Sequence, residues 1–290
     1  MDWLSLSLLS AFSLASADAA TKAWLGGYNA REITLVRFSL TGLLISPLLL
    51  QQPLPELPPA FWVWLAALVP LEILAMLLYM RAIRDHPLVL TLPYLAFTPV
   101  FVVITGYLLL GESVSLRGFT GILLVVAGAW LMNREQVRRP GWYSWWAPLR
   151  SIFTNPGSGM MLGVAGLYSL TSVMGKGAVQ YMPPAQFGPF YWLVLGLITP
   201  LLFAATSPGC ISALWRRPLA NLAVAACTGV MAVAHFLAIQ EVEVAYMIAV
   251  KRTSLLFGIL YGALLFGESG LGLHLFAGAM MLAGVVLISL

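Results

Sequence analysis

Charge is what this chain has least of. Asp, Glu, Lys and Arg make up 9% of its 290 residues, against about 25% in ordinary soluble domains, which excludes a soluble globular fold and leaves no stretch over for a separate soluble domain. Cysteine is nearly absent: Cys210 and Cys227 are the two, without a CxxC pattern or a neighbouring histidine, so both are expected to be structural. There is no clustered His/Asp/Cys set for a metal, no sign of a cofactor, and no credible nucleophile. Ser158, in Gly157-Ser158-Gly159, lacks the strand, turn and helix context of a nucleophile elbow and a placed His/Asp pair. Catalysis is therefore not expected. The net charge of +4 is scattered over short loops rather than gathered on one face, which argues against nucleic acid as a partner. The opening segment has no basic n-region and is expected to be a first span rather than a signal peptide.

What the chain does have is apolar length. Hydrophobic residues make up 60%, in runs of roughly 20 residues, each about enough to cross a hydrocarbon core as a helix. The pattern predicts an all-α polytopic membrane protein with ten transmembrane helices, over 3–21, 33–50, 61–80, 88–110, 117–132, 158–178, 187–206, 219–239, 244–266 and 271–289. A basic and aromatic segment, residues 134–157 with Trp142, Trp145 and Trp146, suits the headgroup layer. It divides residues 1–133 from residues 158–290.

These two parts repeat one another. LLLGES at 108–113 and LLFGES at 264–269 align at an offset of 156 residues. The same offset brings Ala82-Ile83 onto Ala238-Ile239, Phe101 onto Phe257, Gly106 onto Gly262, and Ala127-Gly128 onto Ala283-Gly284. Earlier in each part, ISPLL at 45–49 matches ITPLL at 198–202, and Lys22 matches Lys176. Each part is thus expected to be a five-helix repeat, and because five is odd the two are expected to have inverted topology. On that count Lys22, Arg31, Arg37, Arg81, Arg84, Arg134, Arg138, Arg139, Arg150, Arg216 and Arg217 fall on one side, against Arg117 and Lys176 on the other. The positive-inside rule then places the basic central loop in the cytoplasm and both termini outside it, in a cell inner (plasma) membrane.

Lys22 and Lys176 closing the first helix of each half, Arg37-Phe38, TPVFVVITGYLLLGE (98–112) and KRTSLLFGILYGALLFGE (251–268) occur in an order that resembles the EamA family of the drug/metabolite transporter superfamily. The resemblance covers nearly the whole chain. It implies a secondary transporter of small metabolites with a central cavity between the halves and no use of ATP. The charge bias departs from the cytoplasmic termini that the resemblance implies.

An ionisable group inside a span costs about 2.5–3.5 kcal/mol at the helix centre, so it faces a cavity or a partner. Lys251 and Arg252 lie about seven residues into the ninth span, roughly 10 Å along it. Adjacent helix positions diverge by about 100°, so the two cations are expected to have different tasks. Lys251 shares a helical face with Gly258 and Gly262, a GxxxG spacing that admits a neighbouring helix. Arg252 could grip a carboxylate or phosphate bidentately. Glu72 is the acid expected to neutralise one of them or to carry a coupling proton, with Met76 and Tyr79 on its face. The offset relates Tyr79 to His235, a second candidate proton carrier. Tyr94, bracketed by Pro93 and Pro99 in an expected kink, Tyr246 one turn before the cations, and Lys176 beside Tyr168 and Thr171 complete the candidate substrate-binding set. Asp18 and Lys22 have the spacing of a local ion pair. Glu112 and Glu268 read as interface and helix-start residues. These cations point to a small anionic or zwitterionic solute moved by alternating access, in a monomer or weak homodimer within the bilayer. The alternative is a lipid flippase or lipid-acting intramembrane protein. The orientation is testable: a phosphatase fused after Leu290 should be active in the periplasm, and one fused near Gln136 inactive. The reverse pattern would overturn the assignment.

Overall fold

The computed structural model describes residues 2–86, 94–132, 156–266 and 271–290. Pro93, the tryptophans of the central segment and the Glu268-Ser269 pair lie outside the described residues. All regular elements among the described residues are helical. The longer ones are α1 (Trp3–Trp24), α2 (Ala30–Gln51), α3 (Pro59–Asp85), α4 (Thr98–Leu110), α5 (Leu116–Met132), α6 (Pro156–Val179), α7 (Pro184–Thr206), α8 (Pro218–Glu241), α9 (Val244–Lys251), α10 (Ser254–Phe266) and α11 (Leu271–Ser289). Of these, α1, α2, α3, α7 and α8 are each long and apolar enough to cross a membrane, and α4, α5 and α11 are shorter apolar helices. Large apolar side chains such as Leu44, Ile104, Leu108 and Leu201 are exposed on their outer faces, as a bilayer solvent favours. The chain is a multi-pass membrane protein.

Local chemistry sets the helix ends. Asp2 caps α1, its carboxylate accepting from Ser5 N–H at 3.0 Å, and that hydrogen bond holds the Asp2 carboxyl below its ordinary value. Asn29 and Glu32 form a reciprocal capping box at the start of α2 (2.7 and 3.0 Å). Gly111 ends α4 at φ +69°, the left-handed conformation that favours glycine, which accounts for the glycine of the LLLGES motif. Between α7 and α8 a short 3-10 turn, Pro208–Ser212, buries Cys210 against Leu35 and Phe203. Burial pushes its thiol upward, consistent with a structural cysteine.

Two expectations change. The ninth span is not one helix: α9 ends at Lys251, residues 252–253 form a turn, and α10 starts at Ser254. Arg252 N–H is shared between the carbonyls of Ile248 and Ala249 (both 3.1 Å), Thr253 N–H bonds Val250 O at 3.0 Å, and the Thr253 hydroxyl donates to the same carbonyl at 2.8 Å. These tightened bonds take up the carbonyls that would continue the helix. The shared face of Lys251 and Gly258 is therefore broken, and a Cβ on Gly258 would meet open space rather than a packed helix. The fourth span has the same interruption at 96–97, with the Thr98 hydroxyl donating to Leu95 O at 2.7 Å. The two breaks are 156 residues apart. Arg37, counted above among the loop cations, is instead buried within α2 at a π-helical turn, Val36–Leu40.

Close backbone contacts join the two parts of the chain. A Cβ on Gly42 would lie 2.3 Å from Trp192 O, and one on Gly196 would lie 2.9 Å from Phe38 O. Gly196 is Gly42 displaced by 154 residues, the displacement that relates Lys22 to Lys176. Between α5 and α11, a Cβ on Gly284 would lie 2.6 Å from Gly121 O, and one on Gly128 would lie 2.7 Å from Ala277 O. These two contacts are exchanged by the 156-residue displacement. Overpacking such a site costs about 1–3 kcal/mol. Gly284→Leu should therefore lower the detergent-solubilised melting temperature, whereas Gly258→Ala should leave it unchanged; thermal unfolding followed by tryptophan fluorescence checks both.

Candidate functional site

Met231 and His235 lie one turn apart on α8 and meet the end of α9 from the side. Lys251 Nζ donates to Met231 Sδ at 3.2 Å and sits 3.2 Å from His235 Nδ1. On α3, Glu72, Met76 and Tyr79 share the expected face, which looks onto α6. The Tyr168 hydroxyl donates to Met76 Sδ at 3.9 Å, and the Tyr79 and Tyr168 rings are 6.2 Å apart. The Glu72 carboxyl lies beside the Thr171 hydroxyl and within electrostatic reach of Lys251.

Arg252, at the helix break, points elsewhere. It lies within electrostatic reach of Tyr79, Tyr168 and Asp18, and its buried Nε has no hydrogen-bond partner among the described residues. The buried Tyr191 hydroxyl on α7 is likewise unpartnered there, within reach of Glu72 and Tyr168. Tyr191 is held by its rings: stacked on Phe187 at 5.9 Å and edge-on to Phe236 at 5.7 Å. Arg37 enters from α2, its Nη2 donating to Asp18 Oδ1 at 2.5 Å and to Thr21 Oγ1 at 3.0 Å. Asp18 thus serves a long-range pair with a buried guanidinium, a role that its four-residue spacing from Lys22 does not announce. The cluster gathers Arg37, Lys251 and Arg252 around Asp18 and Glu72. A guanidinium and an ammonium in a region of low dielectric call for compensating anionic charge, and three bases outnumber two acids. The chemistry open to this arrangement is recognition of an anion by charge-assisted hydrogen bonds.

Five of the candidate residues, Glu72, Tyr79, His235, Lys251 and Arg252, meet here. Three do not. Tyr94 packs edge-on against Trp130 of α5, ring centroids 6.0 Å apart. The Tyr246 hydroxyl accepts from Ser115 N–H at 3.0 Å, next to Gly118. Lys176 belongs to a separate clamp: its Nζ donates to Glu112 Oε1 at 2.5 Å and Val242 O at 2.6 Å, while Glu112 Oε2 accepts from Val244 N–H at 2.9 Å. Glu112 thereby ties the end of α6 to the start of α9. A second ion pair, Arg216 with Glu32, lies at the opposite end of α8, with the guanidinium 4.4 Å over the Tyr28 ring. Arg37, Asp18 and Tyr191 were not among the candidates. Arg37 lies as deep in its helix as Lys251 in the ninth span, so the same depth argument could have found it. Tyr191 carries no such signal. A cavity of about 690 Å³ lies away from all of these, against Ser46, Leu50, Gln52 and Leu193. It is lined by no ionisable side chain.

Comparison with known proteins places this geometry in context. The EamA-like transporter family model matches residues 1–134. Two curated relatives, each a probable 4-amino-4-deoxy-L-arabinose-phosphoundecaprenol flippase subunit ArnE, from Yersinia pseudotuberculosis serotype O:1b (strain IP 31758) and serotype IB (strain PB1/+), are 36% identical over 70 residues. That alignment is 24% of this chain and spans 61% of the relatives' length. A solved crystal structure of a protein superposes with a TM-score of 0.76 at 16% identity, covering 100% of this chain and 99% of that one. At that identity the likeness speaks for the fold.

The Glu112 clamp can be tested without knowing a cargo. Glu112→Ala leaves the Lys176 ammonium with the Val242 carbonyl alone and the Val244 N–H without its acceptor, a loss of about 1–3 kcal/mol. Glu112→Gln keeps an acceptor for Val244. Melting temperature should fall most for the alanine variant, and equal losses would show that the capping bond contributes nothing.

Proposed function

Because residues 1–134 match the EamA-like transporter family model, we propose that the chain is a secondary transporter of a small anionic or zwitterionic metabolite. It works by alternating access, with ten helices forming two inverted five-helix halves around a midplane site. The observation that carries the reading is the excess of enclosed bases, the buried Arg37 and Arg252 and the half-buried Lys251, over the acids Asp18 and Glu72. A bound anion would complete the charge balance. Arg252, whose Nε has no partner among the described residues, is its primary ligand, Tyr191 offers a hydroxyl likewise unpartnered there, and Glu72 competes for the cations when the site is empty. This difference in contacts links occupancy to conformation.

The inverted architecture is supported by the matched helix breaks at 96–97 and 252–253 and by the reciprocal contacts Gly42/Trp192 with Gly196/Phe38 and Gly121/Gly284 with Gly128/Ala277. Interrupted helices at a repeat interface are where transporters built from inverted repeats bind their solutes. The clamps at the two ends of α8 are candidates for gates: Glu112–Lys176 at one end and Glu32–Arg216 at the other, about 36 Å apart for a helix of 24 residues. We place the protein in the inner membrane, with a cytoplasmic central loop, as a monomer or weak homodimer.

The flippase names of the curated relatives favour a second reading, in which the anion is a lipid phosphate. Proteoliposomes separate the two. Accumulation of a labelled organic acid with no exchange of fluorescent anionic lipid between leaflets supports the first reading, and the converse supports the second. In either case Arg252→Gln should slow the process about tenfold or more, the loss of one charge-assisted hydrogen bond. An unchanged rate in folded protein would overturn the anion site.

A further inference from the structure

His235 and Lys251 are two nitrogen bases held 3.2 Å apart, and a hydrogen bond between them needs one proton on the line joining them. With Lys251 as an ammonium, His235 Nδ1 must accept. With His235 carrying the Nδ1 proton, a neutral Lys251 amine accepts. Protonating both would set two positive charges face to face without a hydrogen bond, so the pair holds at most one excess proton and titrates as a unit. The site geometry keeps it so: the Met231 thioether occupies another donor direction of Lys251, and the His235 ring is fixed edge-on against Phe236 at 4.9 Å.

The surrounding charges decide when that proton is held. Arg252, on the same segment, bears on both His235 and Lys251. Glu72 of α3 and Asp18 of α1 bear on Lys251 with the opposite sign, and Tyr168 of α6 and Tyr191 of α7 stand around Glu72. A guanidinium cannot lose its charge in response, so the Lys251–His235 pair is the basic group that can. An anion docked on Arg252 cancels the repulsion that drives the proton away.

Resting on the anion reading above, we propose that this pair carries the coupling ion. One proton enters the Lys251–His235 hydrogen bond as the anion binds at Arg252, and it leaves with the anion on the other side. Anion and proton then move together, and by linkage a lower pH tightens anion binding.

Calorimetry with sulfate, an anion that does not itself titrate near neutrality, tests this on the full-length protein in buffers of different ionisation enthalpy. The intact chain should take up a proton on binding, up to about one per sulfate, with affinity rising as pH falls by at most about tenfold per unit. In Lys251→Arg, which fixes the charge, the sulfate binding that is measured should carry no proton uptake and show a flat pH profile. Sulfate binding without proton uptake by the intact chain overturns the inference and leaves the anion reading standing; absence of sulfate binding removes both. Should Lys251→Arg misfold, ¹⁵N-histidine spectra of the unmodified chain give a second measurement. Sulfate must raise the titration midpoint of His235, identified among the three histidines by its loss in His235→Gln, and an unmoved midpoint refutes the coupling.

Discussion

Three basic side chains enclosed with two carboxylates in the middle of a helical membrane protein form the constraint around which the other features are arranged. In water the imbalance would be trivial. In a region of low dielectric each charge must find a partner close by, because solvent cannot supply one. The partners come from distant parts of the chain: Asp18 on α1 reaches Arg37 on α2, Glu72 on α3 faces Thr171 on α6, and His235 on α8 meets Lys251 at the end of α9. The cluster therefore ties many helices into one assembly.

The interruption at residues 252–253 gives the two adjacent cations separate surroundings. Lys251 ends one helix and turns to α8, while Arg252 lies in the turn and looks toward Tyr79 and Tyr168. A continuous helix would carry both side chains on one rigid cylinder. The break needs no proline: the Thr253 hydroxyl and the shared Arg252 N–H take up the carbonyls that would propagate the helix. The corresponding break before α4 carries Leu95 and Ala96 where α9 carries Lys251 and Arg252. The matched backbone feature thus carries charge at only one of its two positions, in keeping with the anion site proposed above.

Packing around the cluster relies on bare backbone. Gly42 against Trp192 and Gly196 against Phe38 bring α2 and α7 together, and Gly121 with Gly284 does the same for α5 and α11. Because a bilayer supplies little hydrophobic drive between helices, such close approach gains its stability from dispersion contacts. The ion pairs at the two ends of α8 act at another level. Each joins the first part of the chain to the second, so each restrains one end of the interface between them.

Much of this was legible in order along the chain. Low charge and apolar runs of about 20 residues dictate membrane helices, because unpaired backbone polar groups are too costly in hydrocarbon. The 156-residue repeat and the depth of Lys251 and Arg252 are likewise properties of sequence position. What the tertiary structure alone decided is partnership. Asp18 has the four-residue spacing from Lys22 of a local pair, and nothing in that spacing announces that it also reaches Arg37. Tyr246 lies one turn from the cations and bonds Ser115, and Lys176 has no acid on its own helix but is held by Glu112, 64 residues earlier. Helical periodicity reports which residues share a face of one helix. Which other helix that face meets depends on packing between segments far apart in sequence, and no local pattern encodes it.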